Sequence, residues 1–450
     1  MTPVRKFILF WILFCGAAGI GGAAWYNFQS FELPNGFKVI LSPQPDSEAA
    51  AVTMYGFSGV SDDPPEIRGA SYLYQFLMFQ GTQNLEPYDQ VFFITRAGGQ
   101  ISGRVNYDNA VFTEVVPASE VNIALWLESE RLKSLRLGDN EISAQKNQVY
   151  TRINRLLESS ATLRAETWIN ERIFAGTPYE LPLYGDLQRL RAIDNDQIRE
   201  IYDRFRNPAN ILLVICGKYD IFELKKGISD LFQNLPPASK ITRALPQPRE
   251  AAAGFMVKNW VLPNLFKSFT IYGLRMPPRN SYDYLYVQFL KYYLGDPRIS
   301  RLPNLLKNTY KLNVEFQCQL TDYFDANALT FSLSSASRAD LEKAKTALNR
   351  ELEAFQKSDL WGYKGPQRLI SSNDIRSVKS LMEIDFLKRF ASLEERGRLI
   401  AELYHLTGRL DSIPQYLARL QQIGASDIIR VGQKYLNKGN WIILNAYPEK

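Results

Sequence analysis

Hydrophobic and polar positions alternate with a period of two in Leu33 to Pro43, "LPNGFKVILSP", where Phe37, Val39 and Leu41 follow the turn signal Asn35-Gly36. That pattern predicts a hairpin. Ala50 to Phe57 reads as the next strand, and Gln100 to Val116 as two more strands joined at Asn106 to Asn109. The spacing then changes. Val121, Leu125 and Leu132 recur at helical intervals and predict an amphipathic helix over Ser119 to Ser134. A second helix is expected over Asp139 to Leu157, with Asp139 as its cap. One stretch fits neither period. Gly69 to Thr82, "GASYLYQFLMFQGT", reads as a short helix apolar nearly all the way round, with Gln75 its one polar residue in the middle.

The pattern also repeats. "IREIYDRFRNPANILLV" (Ile198 to Val214) aligns without a gap on "IIRVGQKYLNKGNWIIL" (Ile428 to Leu444), so that Arg204 falls on Lys434, Phe205 on Tyr435, Asn207 on Asn437 and Asn210 on Asn440. Each copy runs into a strand of continuous apolar residues. "TMYG" at Thr53 recurs as "TIYG" at Thr270, and "YLYQFL" at Tyr72 as "YLYVQFL" at Tyr284. Matches in the same order point to a duplicated α+β domain. Between the copies, "LPPASKITRALPQPRE" is rich in Pro and charge and reads as a linker. The expected organisation is a leader at 1–24, a first domain at 25–235, a linker at 236–250 and a second domain at 251–450, each domain an antiparallel-rich sheet packed with helices.

Composition removes several classes of function. The net charge of +6 is modest and dispersed, which gives no footprint for nucleic acid. There is one histidine, His405, and there are three cysteines, Cys15, Cys216 and Cys318. A zinc site built on histidines is excluded by that count. No Gly-x-Ser-x-Gly elbow accompanies His405, which reads as a helix residue near the surface or packed on a neighbour. Cys216 and Cys318 fall in predicted strands of different halves, and no disulfide is expected. The leader, "MTPVRKFILFWILFCGAAGIGGAAW", has a basic start, an uncharged apolar run from Phe7 to Ala24 and small residues at Gly22-Ala23-Ala24. It is expected to act as a signal peptide or an uncleaved membrane anchor. The chain is therefore expected to be exported, either periplasmic or anchored to a membrane and facing the periplasm.

The apolar helix carries a resemblance. "RGASYLYQFLMFQGT" is similar to the first motif of the pitrilysin-type zinc peptidases (peptidase family M16, which includes the mitochondrial processing peptidase), whose usual form is Gly-x-x-His-x-x-Glu-His-x-x-Phe-x-Gly-Thr. Gly69, Phe79, Gly81 and Thr82 fall in register. The likeness continues through "AGGQISGRVNYDNAVFTEVVP", "ALWLESERL", "NPANILLVICGKYD" and, in the second half, "YLGDPRISRLPNLLKNTYKL". In active members two histidines hold zinc and the glutamate activates the bound water. The resemblance places Tyr72, Gln75 and Phe76 at those three positions. The later glutamate ligand falls on Thr151 of "KNQVYTR", with Arg152 beside it. None of these residues serves zinc chemistry at neutral pH, and the helix becomes a packing element with Tyr72, Phe76 and Phe79 on one stripe filling the former metal pocket. The places of the substrate-gripping Arg and Tyr read Lys307 and Val314.

What the resemblance implies is a subunit without catalysis and without a cofactor, zinc being expected only in a partner. In heterodimeric members a chain keeping His-x-x-Glu-His pairs with a degenerate one, and four homologous domains enclose a chamber. The partner expected here is such a chain, and the ligands are extended peptides gripped along edge strands. A second reading stays open: a stand-alone scaffold that binds peptide or protein, is held to an envelope membrane by the leader, and has no peptidase partner.

Overall fold

A computed structural model describes residues 27–239, 254–357 and 370–449. The leader and most of the expected linker lie outside them. The first half runs β1 (Gln29–Glu32), β2 (Lys38–Pro43), β3 (Ala49–Gly56), α1 (Ala70–Leu77), α2 (Asp89–Arg96), β4 (Gln100–Val105) and β5 (Ala110–Pro117). It continues with α3 (Val121–Ser134), α4 (Asp139–Ser159), α5 (Ala161–Ile173), α6 (Leu187–Ala192), α7 (Asn195–Phe205), β6 (Ile211–Gly217) and α8 (Ile221–Phe232). The second half comprises β7 (Met256–Leu262), β8 (Ser268–Met276), α9 (Tyr284–Gly295), α10 (Arg301–Asn304), β9 (Glu315–Leu320) and β10 (Asn327–Ser335). Then follow α11 (Arg338–Lys357), α12 (Ser372–Ala391), α13 (Leu393–Thr407), α14 (Ser412–Gln421), α15 (Ala425–Tyr435) and β11 (Trp441–Pro448).

The two sheets repeat one topology. The first has the order β1-β2-β6-β3-β5-β4 and the second β7-β11-β8-β10-β9. In each, the second sequence repeat (β6 or β11) lies parallel to the first main strand and antiparallel to the next. All the repeat pairs read from the sequence fall on equivalent elements: α7–β6 on α15–β11, β3 on β8, and α1 on α9. The fold is thus two homologous α+β domains, as the sequence indicates.

Strands that are apolar at every position are buried on both faces. Ile211, Leu213 and Ile215 of β6 face the main core with the first half's helices, whereas Leu212, Val214 and Cys216 face a separate layer of Phe390, Leu399 and Ile400. That second layer comes from α12 and α13, which belong to the second half of the chain. The exchange is reciprocal. Ile169 and Ile173 of α5 press against Gly273 of β8, where a Cβ has no room. Likewise Gly397 of α13 lies against Thr53 of β3, where a Cβ would collide with the Thr side chain. Each half therefore covers the back of the other half's sheet. Tyr323 seals the junction near the hairpins: its ring lies 4.6 Å from Tyr107 and 5.0 Å from Tyr179, and the Phe324 N–H donates to Asp108 at 2.9 Å.

Two local expectations are corrected. Asp139 is the first residue of α4 and Gly138 its cap; the Asp139 carboxylate instead accepts from Arg199 at 2.5 Å and from Asn195 at 3.0 Å. And α3 is not simply amphipathic, because Glu128, Ser129, Glu130 and Arg131 are buried along with its apolar residues. Among the described residues no helix is long and apolar enough to cross a membrane.

Candidate functional site

Asp63, buried in the loop after β3, fixes the start of α1. Its carboxylate accepts from the Gly69 and Ser71 N–H groups at 3.1 and 2.9 Å, from the Ser71 hydroxyl, and from Arg204 of α7 at 2.7 Å. These contacts satisfy donors that the helix itself leaves free. Gly69 has φ +104, and a Cβ there would strike the Tyr184 backbone, so the chain enters α1 only through glycine.

The inner face of α1 is set by Ala70, Leu73, Tyr74 and Leu77, all buried. Tyr74 stacks on Phe205 with ring centroids 4.3 Å apart. Tyr72, Gln75, Phe76 and Phe79 are only half-buried. Tyr72, Phe76 and Phe79, the stripe expected from the sequence, pack against the main core from its outer side. The Tyr72 and Phe76 rings meet edge to face at 5.5 Å, and the Arg152 guanidinium lies 6.0 Å from the Phe76 centroid. Burial raises the pKa of the Tyr72 phenol above its usual range, although Arg152 pulls the other way. The Gln75 Oε1 accepts from the Val105 N–H at 3.2 Å.

The geometry brings Tyr72, Gln75, Phe76 and α4 together, but not as a metal site. Tyr72 is a neutral phenol, Phe76 has no donor atom, and Gln75 spends its oxygen on the backbone of β4. Thr151 is exposed, and it is the neighbouring Arg152 that reaches the aromatic pair. A guanidinium has no lone pair to offer and repels a cation. The residues present do not fit zinc. Lys307 lies exposed in a π-helical turn after α10, and Val314 precedes β9, half-buried on the second core.

The Gln75 bond also defines the border of the first sheet. Asn106 N–H pairs inward with Asn109 O at 2.8 Å, so Val105 turns its N–H outward, as do Ile101 and Gly103 by the strand's alternation. Gln75 closes the outward edge at Val105 and leaves it open at Ile101 and Gly103. Ser102 of the same strand donates to Glu394 of α13 at 2.7 Å, across the two halves.

Beneath α1 lies a polar node that periodicity does not reveal. Arg131 pairs with Glu114 at 2.9 Å and Glu128 at 3.2 Å, all three fully buried, and its guanidinium lies 4.8 Å from the Phe112 ring. Burial and the adjacent Glu128 push the Glu114 carboxyl well above the usual carboxylate range. No part of the node's three side chains reaches solvent. Its only trace in sequence is "LESER" inside an apolar helical run.

His405 is half-buried in α13, where its Nδ1 lies 3.1 Å from the Tyr55 hydroxyl and its ring packs against Phe57 and Phe324. It is a contact between halves. Cys216 and Cys318 lie in β6 and β9 as free thiols.

Residues 38–187 match the family described as Insulinase (Peptidase family M16), and residues 192–360 match the Peptidase M16 inactive domain. The chain belongs to peptidase family M16. Among curated relatives of this M16 chain, the uncharacterized zinc protease YmxG of Bacillus subtilis (strain 168) is 20% identical over 189 residues, which is 42% of this chain and 46% of that one. The uncharacterized zinc protease SCO5738 of Streptomyces coelicolor is 18% identical over 218 residues, 48% of this chain and 46% of that one. The matched stretch thus spans about half the length of each relative. A protease from Helicobacter pylori has the same fold at a TM-score of 0.83 and 17% identity, over 94% of this chain and 99% of that one. The peptidase M16 inactive domain from Pseudomonas fluorescens gives 0.80 and 15%, over 94% and 99%. The periplasmic protease PqqL from Escherichia coli gives 0.71 and 16%, over 93% of this chain but 47% of that one.

Proposed function

We propose that this M16 chain is a non-catalytic subunit that pairs with a chain retaining His-x-x-Glu-His, the two enclosing a chamber for extended peptides. The observation that carries the reading is the contrast at α1. The helix is anchored at its start by Asp63, Gly69 and Arg204, yet its outward residues Tyr72, Gln75 and Phe76 do not fit zinc and have the Arg152 cation beside them. The scaffold of the site is kept and its chemistry is not. Zinc would reside only in the partner.

The open backbone of β4 supports a peptide role. Adding a strand there satisfies backbone groups without demanding a particular sequence, which suits a chamber that receives varied peptides. The likeness to PqqL supports both the size of the assembly and the location. A unit the size of this chain accounts for about half of that one, which leaves room there for a second unit of that size. PqqL is named as periplasmic, in keeping with the leader, and we place this chain in the periplasm or anchored facing it.

The test is to co-express the full chain with the His-x-x-Glu-His chain encoded nearest to it, and to purify through a tag on either one. A one-to-one complex is expected. Ile101→Pro in this subunit removes one outward donor from an edge strand, where proline is tolerated, and is expected to slow cleavage of long peptides while the complex persists. Failure to form any complex would remove the subunit reading and leave the scaffold.

A further inference from the structure

The two sheets share a strand order but not a border. In the first, β1 pairs antiparallel along the outer edge of β2, from Gln29 opposite Leu41 to Glu32 opposite Lys38. Helix α8 closes the same end, with Phe232 stacked on Phe37 at 4.8 Å. The middle of β2 is fully buried as a result. The equivalent strand of the second sheet is β7, and among the described residues neither a β1-like strand nor an α8-like helix covers it. Met256 to Asn259 are all exposed. Val257 is 46% and Val261 64% exposed, and Phe266 in the following turn is 94% exposed. An apolar, uncovered edge strand is a pairing template that proteins otherwise blunt with charge, proline or a cover.

The direction of its backbone groups can be fixed. Glu449 N–H donates to Leu262 O at 3.0 Å, so Leu262, Trp260 and Lys258 turn their backbone groups toward β11. Val257, Asn259 and Val261 then present N–H and C=O to the open side. We propose that this border is a homodimer interface: β7 pairs antiparallel with β7 of a second copy about a twofold axis at Asn259, joining the two second sheets into one.

The sequence of the strand argues for a second copy as the occupant. Around Asn259 the pattern is palindromic, with Val257 on one side and Val261 on the other. In the antiparallel register each valine meets the other copy's valine, which is a favourable cross-strand pair. On the opposite face the strand's only charge, Lys258, meets Trp260 rather than a second lysine. Every outward residue thus finds a match in an identical strand, as an isologous contact requires. Antiparallel addition is also how β1 covers β2 in the first sheet. The border lies at the far side of the second sheet from β9, so the contact is independent of the peptide edge at β4 and of pairing with a zinc-bearing chain.

The test uses the full chain in its own cells. Asn259→Cys places two thiols across the axis at a separation within disulfide range, and oxidation is expected to give several-fold more dimer-sized, reducible product than Lys226→Cys on exposed α8. The charge-introducing pair Val257→Asp with Val261→Asp, in the Asn259→Cys background, is expected to abolish that product without unfolding the chain, because both positions are exposed. The proposal is overturned if Asn259→Cys gives no more dimer than Lys226→Cys, or if it links to a different protein. It is also overturned if the amides of Val257, Asn259 and Val261 resist hydrogen exchange in a chain that sediments as a monomer, since a segment of the same chain would then cover the edge.

Discussion

Tyr72, Gln75 and Phe76 differ from a zinc-binding triplet in kind rather than in tuning. No shift of acidity turns a phenyl ring into a ligand, and the Gln75 oxygen already serves the Val105 N–H. The cation at Arg152 adds a second obstacle that the donors alone do not show. Restoring the family residues with Tyr72→His, Gln75→Glu, Phe76→His and Thr151→Glu is expected to give weak zinc uptake. Adding Arg152→Ala is expected to tighten it by roughly tenfold or more, since a unit charge a few ångströms from a divalent ion costs several kcal/mol in a partly buried site. Competition against a chromophoric chelator measures both. Equal affinities would place Arg152 outside the site. In the sequence, register with Gly69, Phe79, Gly81 and Thr82 assigns three of these positions to Tyr72, Gln75 and Phe76, and the pattern of "KNQVYTR" assigns the fourth to Thr151. The orientation was not: spacing alone cannot say that Thr151 points to solvent while Arg152 folds over Phe76, because both lie on one turn of α4. The Glu114–Glu128–Arg131 node was hidden for a related reason. Polar letters in a helix read as a solvated face until tertiary contacts supply their partners.

Among the elements, α13 bears the greatest weight between halves. Gly397 permits it to lie on β3, and Gly397→Ala is expected to cost about 1–3 kcal/mol through overpacking against Thr53. Thr53→Ala should recover part of that loss in a double-mutant cycle read by denaturant unfolding. Additive losses would mean the two residues do not press on each other. Glu402, also in α13, is buried and pairs with Arg279 at 3.0 Å and Arg398 at 3.1 Å. Burial alone would raise its carboxyl, but the arginines outweigh it and hold it below the ordinary range. Its stabilising contribution is therefore present above the unfolded carboxylate range and lost as pH falls through the depressed folded value. Glu402→Gln is expected to cost about 3–5 kcal/mol at neutral pH, with the gap to the parent closing in acid. A gap that stays constant with pH would exclude that linkage. Strand and helix identities were readable from period and turn chemistry, as at Asn35-Gly36. Asp139 misled because a good capping residue one place inside the helix looks the same in sequence as one at its boundary.

At the scale of the whole molecule, the reciprocal placement of α5 on β8 and α13 on β3 makes the two homologous halves one cooperative unit. Neither sheet keeps both faces covered if the halves part. Calorimetry of the full chain is expected to show a single unfolding transition rather than two, and two separated transitions would contradict the interlock. The duplication itself was legible, because "TMYG" and "TIYG", and the two terminal helix–strand repeats, keep their order. The exchange of helices was not, since both copies have an apolar helix at the equivalent place and sequence does not say whose sheet it meets. The interlocked scaffold and the altered face of α1 support the proposal that the fold serves assembly and peptide capture rather than its own catalysis. The most direct measurement is cleavage of an extended peptide by this chain alone and mixed with its His-x-x-Glu-His neighbour, each with and without a zinc chelator. The account predicts no cleavage by the chain alone, and cleavage by the mixture that exceeds the neighbour's own rate and vanishes with chelator. Chelator-sensitive cleavage by this chain alone would contradict it.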